Sequence, residues 1–295
     1  MRAGAKSQGV WLRNPVSAQV LWAVISDTGM ATTVFERNNV QVLGSGKQTI
    51  VFAHGFGTDQ TAWRHQVVAF QSRYRIVLFD HVGAGKSNFA AYSPRRYSSL
   101  YSYAEDLLEI CAELGLRQCV LVGHSVSGMV SLLAALVDPK LFSRLIFMGA
   151  SPRYLNDKDY VGGFEQSDLD ALYTAMSSNY YAWASGFAPL AMRNPERPEL
   201  ALEFAQGLSA IRPDIAQAVA RVIFQSDHRA ELPRLNVPTL IIQSSDDIAV
   251  PPEVGAYMAK KIPKSQLMPV AATGHLPHLS APEEVNRAIE AYLKK

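Results

Sequence analysis

The sequence predicts an α/β protein whose mostly parallel sheet is covered by helices on both faces. Runs rich in apolar and β-branched residues recur along the chain as TIVFAHGFG, YRIVLFDH, QCVLVGHS, SRLIFMGAS and PTLIIQSS. Each run precedes a segment of helical length or a longer insertion. Strands that are apolar throughout and alternate with helices are typical of parallel sheets with both faces buried. This alternation therefore defines the fold class.

Helix start and stop signals agree with this order of elements. Ser102 and Glu105 have the spacing of a capping box ahead of DLLEICAEL. Gly115 follows the same segment and is placed to end a helix before the next strand. We therefore expect a helix that starts at Ser102 and stops close to Gly115.

One long insertion interrupts the alternation and divides the chain. Residues 152–227 contain amphipathic pieces of helical length and many aromatic side chains, but no strand-like run. An unstructured loop of this length is uncommon in a compact domain. We predict a helical cap over residues 152–227 and a core formed by residues 30–151 and 228–295. We expect residues 1–29 to be a poorly ordered extension, with a secretory signal or transit peptide as the alternative.

Composition and charge restrict the class of function. With 28 Lys and Arg against 26 Asp and Glu, the net charge of +2 provides no broad field for nucleic acid or an acidic membrane surface. No uninterrupted apolar run approaches the roughly 20 residues that span a bilayer. Cys111 and Cys119 fall in a helical and a strand pattern, which predicts buried thiols rather than a disulfide. We predict a cytoplasmic protein that binds neither nucleic acid nor membranes.

The segment GHSVSG, residues 123–128, carries the strongest catalytic signal. It is similar to the nucleophile elbow G-x-S-x-G, a tight strand-to-helix turn, except that Ser127 occupies the second glycine position. The surrounding CVLVGHSVSGMVSLLAAL supplies the strand, turn and helix that an elbow requires. Small residues such as Gly123 and Gly128 allow the strand and helix to approach each other. We predict Ser125 as the nucleophile, against the alternative of an ordinary turn with a surface serine.

A serine nucleophile needs a general base and an orienting acid, and both occur downstream in the expected order. DDIAVP follows the strand PTLIIQSS, and ATGHLPH follows the strand-like run SQLMPV. Both loops come at carboxyl ends of strands, where active sites of open α/β sheets lie. The residue pattern does not decide between Asp246 and Asp247, or between His275 and His278. The other histidines lack metal-ligand spacing, so we expect no metal and no cofactor.

Two backbone amides are predicted to stabilise an oxyanion. One belongs to Val126, which follows the nucleophile, and the other comes from the loop after an earlier strand. The segment FAHGFGTD supplies that loop, with Phe56 placed after His54 and Gly55. Removal of one such donor typically costs about 3 kcal/mol of barrier. The alternative for this segment is a glycine-rich turn without a catalytic role.

These motifs resemble the α/β-hydrolases of the karrikin and strigolactone receptor and RsbQ-like group. The resemblance extends from about Thr33 to the C-terminus. It is carried by HGFGTDQ, FDHVGAGKS, GHSVSGM, ASPRYLND, YVGGFEQ, NYYAWASGFAPLA, IRPDI, FQSDHR, DDIAVP and GHLPHLS. It implies an α/β-hydrolase fold with an inserted four-helix cap, and a triad of Ser125, Asp247 and His275. It also implies an apolar pocket beneath the cap lined by Phe56, Tyr154, Phe164, Phe187 and Phe224.

The sequence therefore predicts a serine hydrolase that acts on a small, mainly apolar ester or lactone-like molecule, butenolides included. The alternative is a ligand sensor of the same family, which keeps the triad, hydrolyses slowly or once, and signals through a protein partner. A carbon–carbon bond hydrolase and a cofactor-free haloperoxidase share the triad and are lesser alternatives. A dehalogenase or an epoxide hydrolase is disfavoured, because its nucleophile would be Asp in place of Ser125.

Overall fold

The structure, a computed structural model, describes residues 32–295, so the extension predicted for residues 1–29 lies outside the described residues. Within the described part, seven strands form one sheet. In chain order they are β1 (Gln41–Leu43), β2 (Thr49–Ala53), β3 (Arg75–Leu78), β4 (Cys119–His124), β5 (Phe142–Met148), β6 (Thr239–Asp246) and β7 (Ser265–Thr273).

The strands lie in the order β1-β3-β2-β4-β5-β6-β7, and only the edge strand β1 is antiparallel to its neighbour. Strands β2 and β4 are buried along their whole length. Neighbouring side chains alternate between two hydrophobic clusters, with Ile50 and Val120 in one and Val51 and Leu121 in the other. This alternation is the pleat of a sheet covered on both faces. The predicted fold class is confirmed, whereas β1 was not predicted, because three mostly exposed residues form no apolar run.

Helices surround this sheet, and four of them lie between β5 and β6. The helices are α1 (Val34–Arg37), α2 (Arg64–Phe70), α3 (Leu100–Glu113), α4 (Val126–Val137), α5 (Gln166–Ser178), α6 (Tyr180–Met192), α7 (Pro198–Ala210), α8 (Pro213–Phe224), α9 (Pro252–Lys261), α10 (Pro277–Ser280) and α11 (Pro282–Leu293). Helices α5 to α8 fall inside the predicted cap, whose boundaries at residues 152 and 227 stay a prediction. In the part of the chain described, none of the helices is both long and apolar enough to cross a membrane.

The predicted start of α3 is wrong. The helix begins at Leu100, after the N-cap residue Ser99, and Ser102 lies inside it. The Ser102 hydroxyl donates to the Arg96 carbonyl at 2.6 Å instead of capping the helix. Leu100 is buried, so its packing extends the helix beyond the local capping signal. The predicted end is confirmed, because Gly115 follows the helix with a φ of 61°.

The two ends of the four-helix insertion are tied together at its base. Arg153 and Asp227 form an isolated antiparallel bridge, and their side chains form an ion pair at 2.9 Å. Arg229 joins this pair by contacting Asp227 at 2.7 Å and Asp157 at 2.9 Å. These charges link the segment that leaves β5 to the segment that returns to β6. The base of the insertion is therefore fixed beside the carboxyl edge of the sheet.

Candidate active site

Ser125 occupies the turn between β4 and α4. Its φ of 54° and ψ of −123° form a positive-φ conformation that residues with a Cβ rarely adopt. The Ser125 amide donates to the Met148 carbonyl of the neighbouring strand at 2.8 Å. A Cβ at Gly123 would lie 2.3 Å from the Ser127 carbonyl oxygen, and one at Gly128 would lie 2.4 Å from the Cβ of Ala150. Residues without side chains are therefore required where the strand, the turn and the helix meet.

The Ser125 hydroxyl lies against one of the two candidate histidines. Ser125 Oγ is 2.8 Å from His275 Nε2. His275 Nδ1 is 2.8 Å from Asp247 Oδ2 and 3.1 Å from Asp247 Oδ1. A hydroxyl, an imidazole and a carboxylate that are far apart in the sequence thus form one hydrogen-bonded row.

The register of the last two strands brings the acid and the histidine together. Asp246 of β6 is paired with Thr273 of β7, and the Gly274 amide donates to the Asp246 carbonyl at 2.7 Å. Asp247 and His275 therefore leave the sheet side by side. Gly274 has a φ of 91°, and a Cβ there would lie 2.1 Å from the Met192 carbonyl oxygen. This glycine lets the chain turn His275 toward Ser125.

The Asp247 carboxylate is fixed by the backbone that follows it. Its side chain is fully buried, and Oδ1 accepts hydrogen bonds from the amides of Ala249 at 2.9 Å and Val250 at 3.2 Å. Oδ2 then faces the imidazole. Because the carboxylate only accepts, the proton of neutral His275 is on Nδ1. His275 Nε2 is left as an acceptor for the Ser125 proton.

The structure distinguishes Asp246 from Asp247 and His275 from His278, the two choices that the sequence pattern left open. Asp246 has a side chain that is 47% exposed and pairs with Arg193 at 2.9 Å. His278 is fully buried, and its ring stacks on Trp63 with a centroid separation of 4.6 Å. Within residues 32–295, neither side chain forms a hydrogen bond with Ser125. The geometry therefore favours Asp247 and His275, which are the two residues that the resemblance implied.

Two backbone amides near Ser125 lack a protein acceptor. Val126 is the first residue of α4, so its amide has no acceptor within the helix. Phe56 lies in the turn after β2 and lines the same pocket as Ser125. Among the residues that the structure describes, neither amide donates a hydrogen bond. A Cβ at Gly55 would lie 3.2 Å from the Ser125 Cβ, which shows how closely this loop approaches the hydroxyl.

An apolar pocket opens onto Ser125 and His275, and we call it the catalytic pocket. Its walls are formed by Phe56, Ser125, Tyr154, Trp183, Phe187, Phe204, Ile223, Phe224, Ala249 and His275. Phe164 lies outside this lining, with its ring 5.7 Å from that of Phe224 and 6.4 Å from that of Tyr154. The structure thus places Phe56, Tyr154, Phe187 and Phe224 at the pocket, whereas Phe164 packs near the rings of Phe224 and Tyr154 without lining it.

Trp183 and Phe204 were missed in the sequence, although both carry aromatic rings within the predicted cap. Trp183 is stacked on Phe187 with ring centroids 5.2 Å apart. Its spacing of four residues from Phe187 places the two rings on one helix face, which is the signal that could have identified it. Phe204 is on α7, and only the packing of α6 against α7 brings it to the same pocket.

Tyr154 places a phenol beside the Ser125 hydroxyl. Its Oη is 3.5 Å from Ser125 Oγ, at the limit of a hydrogen bond. Burial raises the pKa of Tyr154, so the phenol stays protonated at neutral pH. Tyr154 therefore adds a neutral hydroxyl, and no charge, to the catalytic pocket.

Ser127, the departure from the elbow pattern, belongs to a different serine and histidine pair. Its hydroxyl donates to the His54 carbonyl and lies 2.7 Å from His81 Nε2. Because the hydroxyl proton is used at the carbonyl, His81 Nε2 must donate to the serine oxygen. Burial lowers the pKa of His81 well below its ordinary value, so this imidazole is neutral. The hydrogen bond from Ser127 to the His54 carbonyl holds the loop that contains Phe56 against α4.

Neutral histidines form a layer beneath His275. His124 Nε2 donates to the His275 carbonyl at 2.8 Å, and the rings of His124 and His278 lie 4.5 Å apart. Burial lowers the pKa of His124 well below its ordinary value and lowers that of His278 to about 3. The peptide that carries His275 therefore rests on uncharged rings.

Comparison with known proteins identifies the family. A family model described as alpha/beta hydrolase fold matches residues 48–282, and the chain belongs to this family. The karrikin insensitive 2 receptor CA of Petunia hybrida is 49% identical over 253 residues, which cover 85% of this chain and 94% of the relative. The strigolactone esterase RMS3 of Pisum sativum is 44% identical over 268 residues, which cover 90% of this chain and 100% of the relative. The predicted resemblance to karrikin and strigolactone receptors is confirmed, and its RsbQ-like part stays a prediction.

A solved structure supports the same assignment. A hydrolase from Oleispira antarctica superposes with a TM-score of 0.87 at 37% identity, covering 89% of this chain and 96% of that chain. The predicted class, an α/β-fold hydrolase, is confirmed. The roles of the individual site residues stay predictions.

The buried imidazole of His278 makes stability depend on pH. Its pKa is near 6.5 in an unfolded chain, whereas burial lowers it to about 3 in the folded protein. Below pH 6.5 the unfolded state binds the proton first, so the free energy of unfolding falls by up to about 1.4 kcal/mol per pH unit toward pH 3. His278→Phe keeps a ring on Trp63 and should flatten this decline, measured by urea denaturation across that range. An unchanged pH slope would contradict a neutral His278.

Proposed function

We propose that the protein is a serine hydrolase of small, mainly apolar esters or lactone-like molecules, butenolides included. The observation that carries the proposal is the 2.8 Å contact of Ser125 Oγ with His275 Nε2, with Asp247 on the other ring nitrogen. Membership of the hydrolase family and a relative named as an esterase support this chemistry. The aromatic walls of the catalytic pocket support a mainly apolar ligand.

In this proposal Ser125 Oγ attacks the carbonyl carbon while its proton passes to His275 Nε2. The buried carboxylate of Asp247 holds the ring and stabilises the imidazolium that forms. The amides of Phe56 and Val126 donate to the oxygen that becomes negative. His275 then protonates the leaving alcohol, and a water activated by the same ring releases the acyl group from Ser125. These steps use side chains and backbone amides of this chain together with a water molecule, and they need no cofactor.

Removal of the nucleophile tests the proposal first. Ser125→Ala should lower kcat for 4-nitrophenyl acetate by at least about 1,000-fold, because it removes the hydroxyl that would carry the acyl group beside His275. Ser131→Ala is the matched control, since this buried serine of α4 donates only to the Ser127 carbonyl. Its kcat should stay within about twofold of that of the parent protein. Undiminished turnover by Ser125→Ala, with an unchanged circular dichroism spectrum, would remove the assignment.

Two adjacent carboxylates allow a matched test of the acid. Asp247→Asn should lower kcat by about 1,000- to 10,000-fold, because an amide cannot stabilise the imidazolium of His275. The kcat of Asp246→Asn should stay within about threefold of the parent value, because this change removes only an exposed ion pair with Arg193. Steady-state rates on the same ester compare the two variants. Equal losses would show that Asp247 has no special role.

A second candidate is a ligand receptor that signals through a protein partner. It is favoured by the 49% identity to a protein named as a karrikin insensitive 2 receptor. The same catalytic pocket would bind the ligand, and slow attack by Ser125 would keep it bound. RsbQ-like regulators would be the bacterial counterpart of this arrangement.

The number of products per protein molecule separates the two functions. An enzyme of ordinary rate should release more than about 100 product molecules per site within minutes, and this is the outcome we expect. Quantified product release and thermal denaturation with and without ligand make the comparison. One product per molecule, a ligand-dependent shift in Tm and capture of a partner only with ligand would support the receptor instead.

We also propose the cytoplasm as the location of the protein. Cys111 and Cys119 are free and buried. The hydrogen bond with Cys119 and burial raise the pKa of the Cys111 thiol, so it stays protonated. Unpaired thiols are typical of reducing compartments.

A further inference from the structure

A second cavity adjoins the catalytic pocket, and we call it the side cavity. Its walls include Phe56, Val126, Val130, Ile211, Val219 and Ile223, and they consist almost wholly of carbon atoms. It holds about 40 Å³ of space, several times the roughly 10 to 15 Å³ that one water needs on the same measure. Its size and walls suit a short hydrocarbon group rather than a polar one.

The side cavity and the catalytic pocket share two wall residues, and one of them, Phe56, is a proposed oxyanion donor. Phe56 and Ile223 line both spaces. Ser125 and His275 line only the catalytic pocket, whereas Val126 lines only the side cavity. A carbonyl oxygen held between the amides of Phe56 and Val126 would therefore lie between a residue that lines both spaces and one that lines the side cavity.

Proton transfer decides which part of an ester faces each space. The leaving alcohol takes its proton from His275, so it must lie beside that ring, in the catalytic pocket. The side cavity has no contact with His275. The group on the other side of the carbonyl carbon, which stays on Ser125 as the acyl group, is the one that faces the side cavity.

We propose that the side cavity is an acyl subsite that binds a short alkyl or ring substituent of the substrate. This inference rests on the proposed hydrolase function and deepens it. It makes the substrate an ester or lactone whose acyl part carries a small hydrocarbon group. It also makes Val219 of α8 a specificity-determining residue.

The test compares acyl chain lengths in 4-nitrophenyl esters. Burial of each methylene raises kcat/KM by about fourfold, so butyrate should exceed acetate by about 15-fold in the parent protein. Val219→Phe fills the side cavity and should reduce that ratio to about one to three. Val219→Met, which adds less bulk, should give an intermediate ratio and serves as the second variant if the Phe form does not fold.

A matched control is available on the same helix. Val222 is also half-buried on α8 but faces an outer groove together with Tyr101 and Asp227. Val222→Phe should keep the parent ratio of butyrate to acetate. A ratio that Val219→Phe and Val219→Met leave unchanged, or that Val222→Phe lowers equally, would overturn the acyl subsite.

Binding to the Ser125→Ala form separates failure of the subsite from failure of the proposed function. Trp183 lines the catalytic pocket, so quenching of its fluorescence by the same 4-nitrophenyl esters reports occupancy without turnover. Tighter binding of butyrate than acetate, lost in the Val219→Phe background, supports the subsite even if the parent protein hydrolyses neither ester. Equal binding of both esters in the two backgrounds overturns it, whatever Ser125 does.

Discussion

The active site depends on the backbone turn that holds Ser125 at positive φ between β4 and α4. This conformation costs of the order of 1 to 3 kcal/mol and persists only when its surroundings fix it. Here it is fixed by the hydrogen bond from the Ser125 amide to Met148 and by the close contact of Gly123 with the Ser127 carbonyl. The result is a hydroxyl that projects above the sheet and an unpaired amide on Val126 directly after it.

The remaining groups of the site, Asp247, His275 and Phe56, come from the carboxyl edge of the sheet. The parallel pairing of β6 and β7 brings the residues after both strands together, so Asp247 and His275 need only short loops to meet. The loop after β2 is held against α4 by the Ser127, His54 and His81 contacts, which places Phe56 on the remaining side. One sheet edge therefore carries the proposed nucleophile, base, acid and amide donors, and the four inserted helices add aromatic walls.

Much of this arrangement could be predicted from the sequence because it depends on local patterns. The strand, turn and helix around Ser125 are visible as an apolar run, small residues and a second apolar run. Asp246 and His278 could not be excluded by pattern, because the segments DDIAVP and ATGHLPH show no periodicity in the sequence. Only the resemblance and then the geometry favoured Asp247 and His275. The failed capping box at Ser102 shows the same limit, since tertiary packing of Leu100 extended the helix.

The pocket was the hardest part to predict. The resemblance named Phe164, yet its ring packs near Phe224 outside the pocket lining, whereas Trp183 and Phe204 line the pocket without having been predicted. Which aromatic ring faces a ligand depends on how α6 and α7 pack, and composition does not encode that packing directly. The side cavity forms where Val219 and Ile223 of α8 lie opposite Phe56 and Val126. It therefore could not be predicted from the sequence either.

Covalent labelling by a fluorophosphonate, followed by peptide mass spectrometry, tests most directly whether Ser125 is a nucleophile activated by His275. We expect one adduct per molecule on Ser125, formed at least about 100-fold more slowly when His275 is replaced by Ala. An adduct on Ser127 or another serine, or labelling of Ser125 that is indifferent to His275, would contradict it.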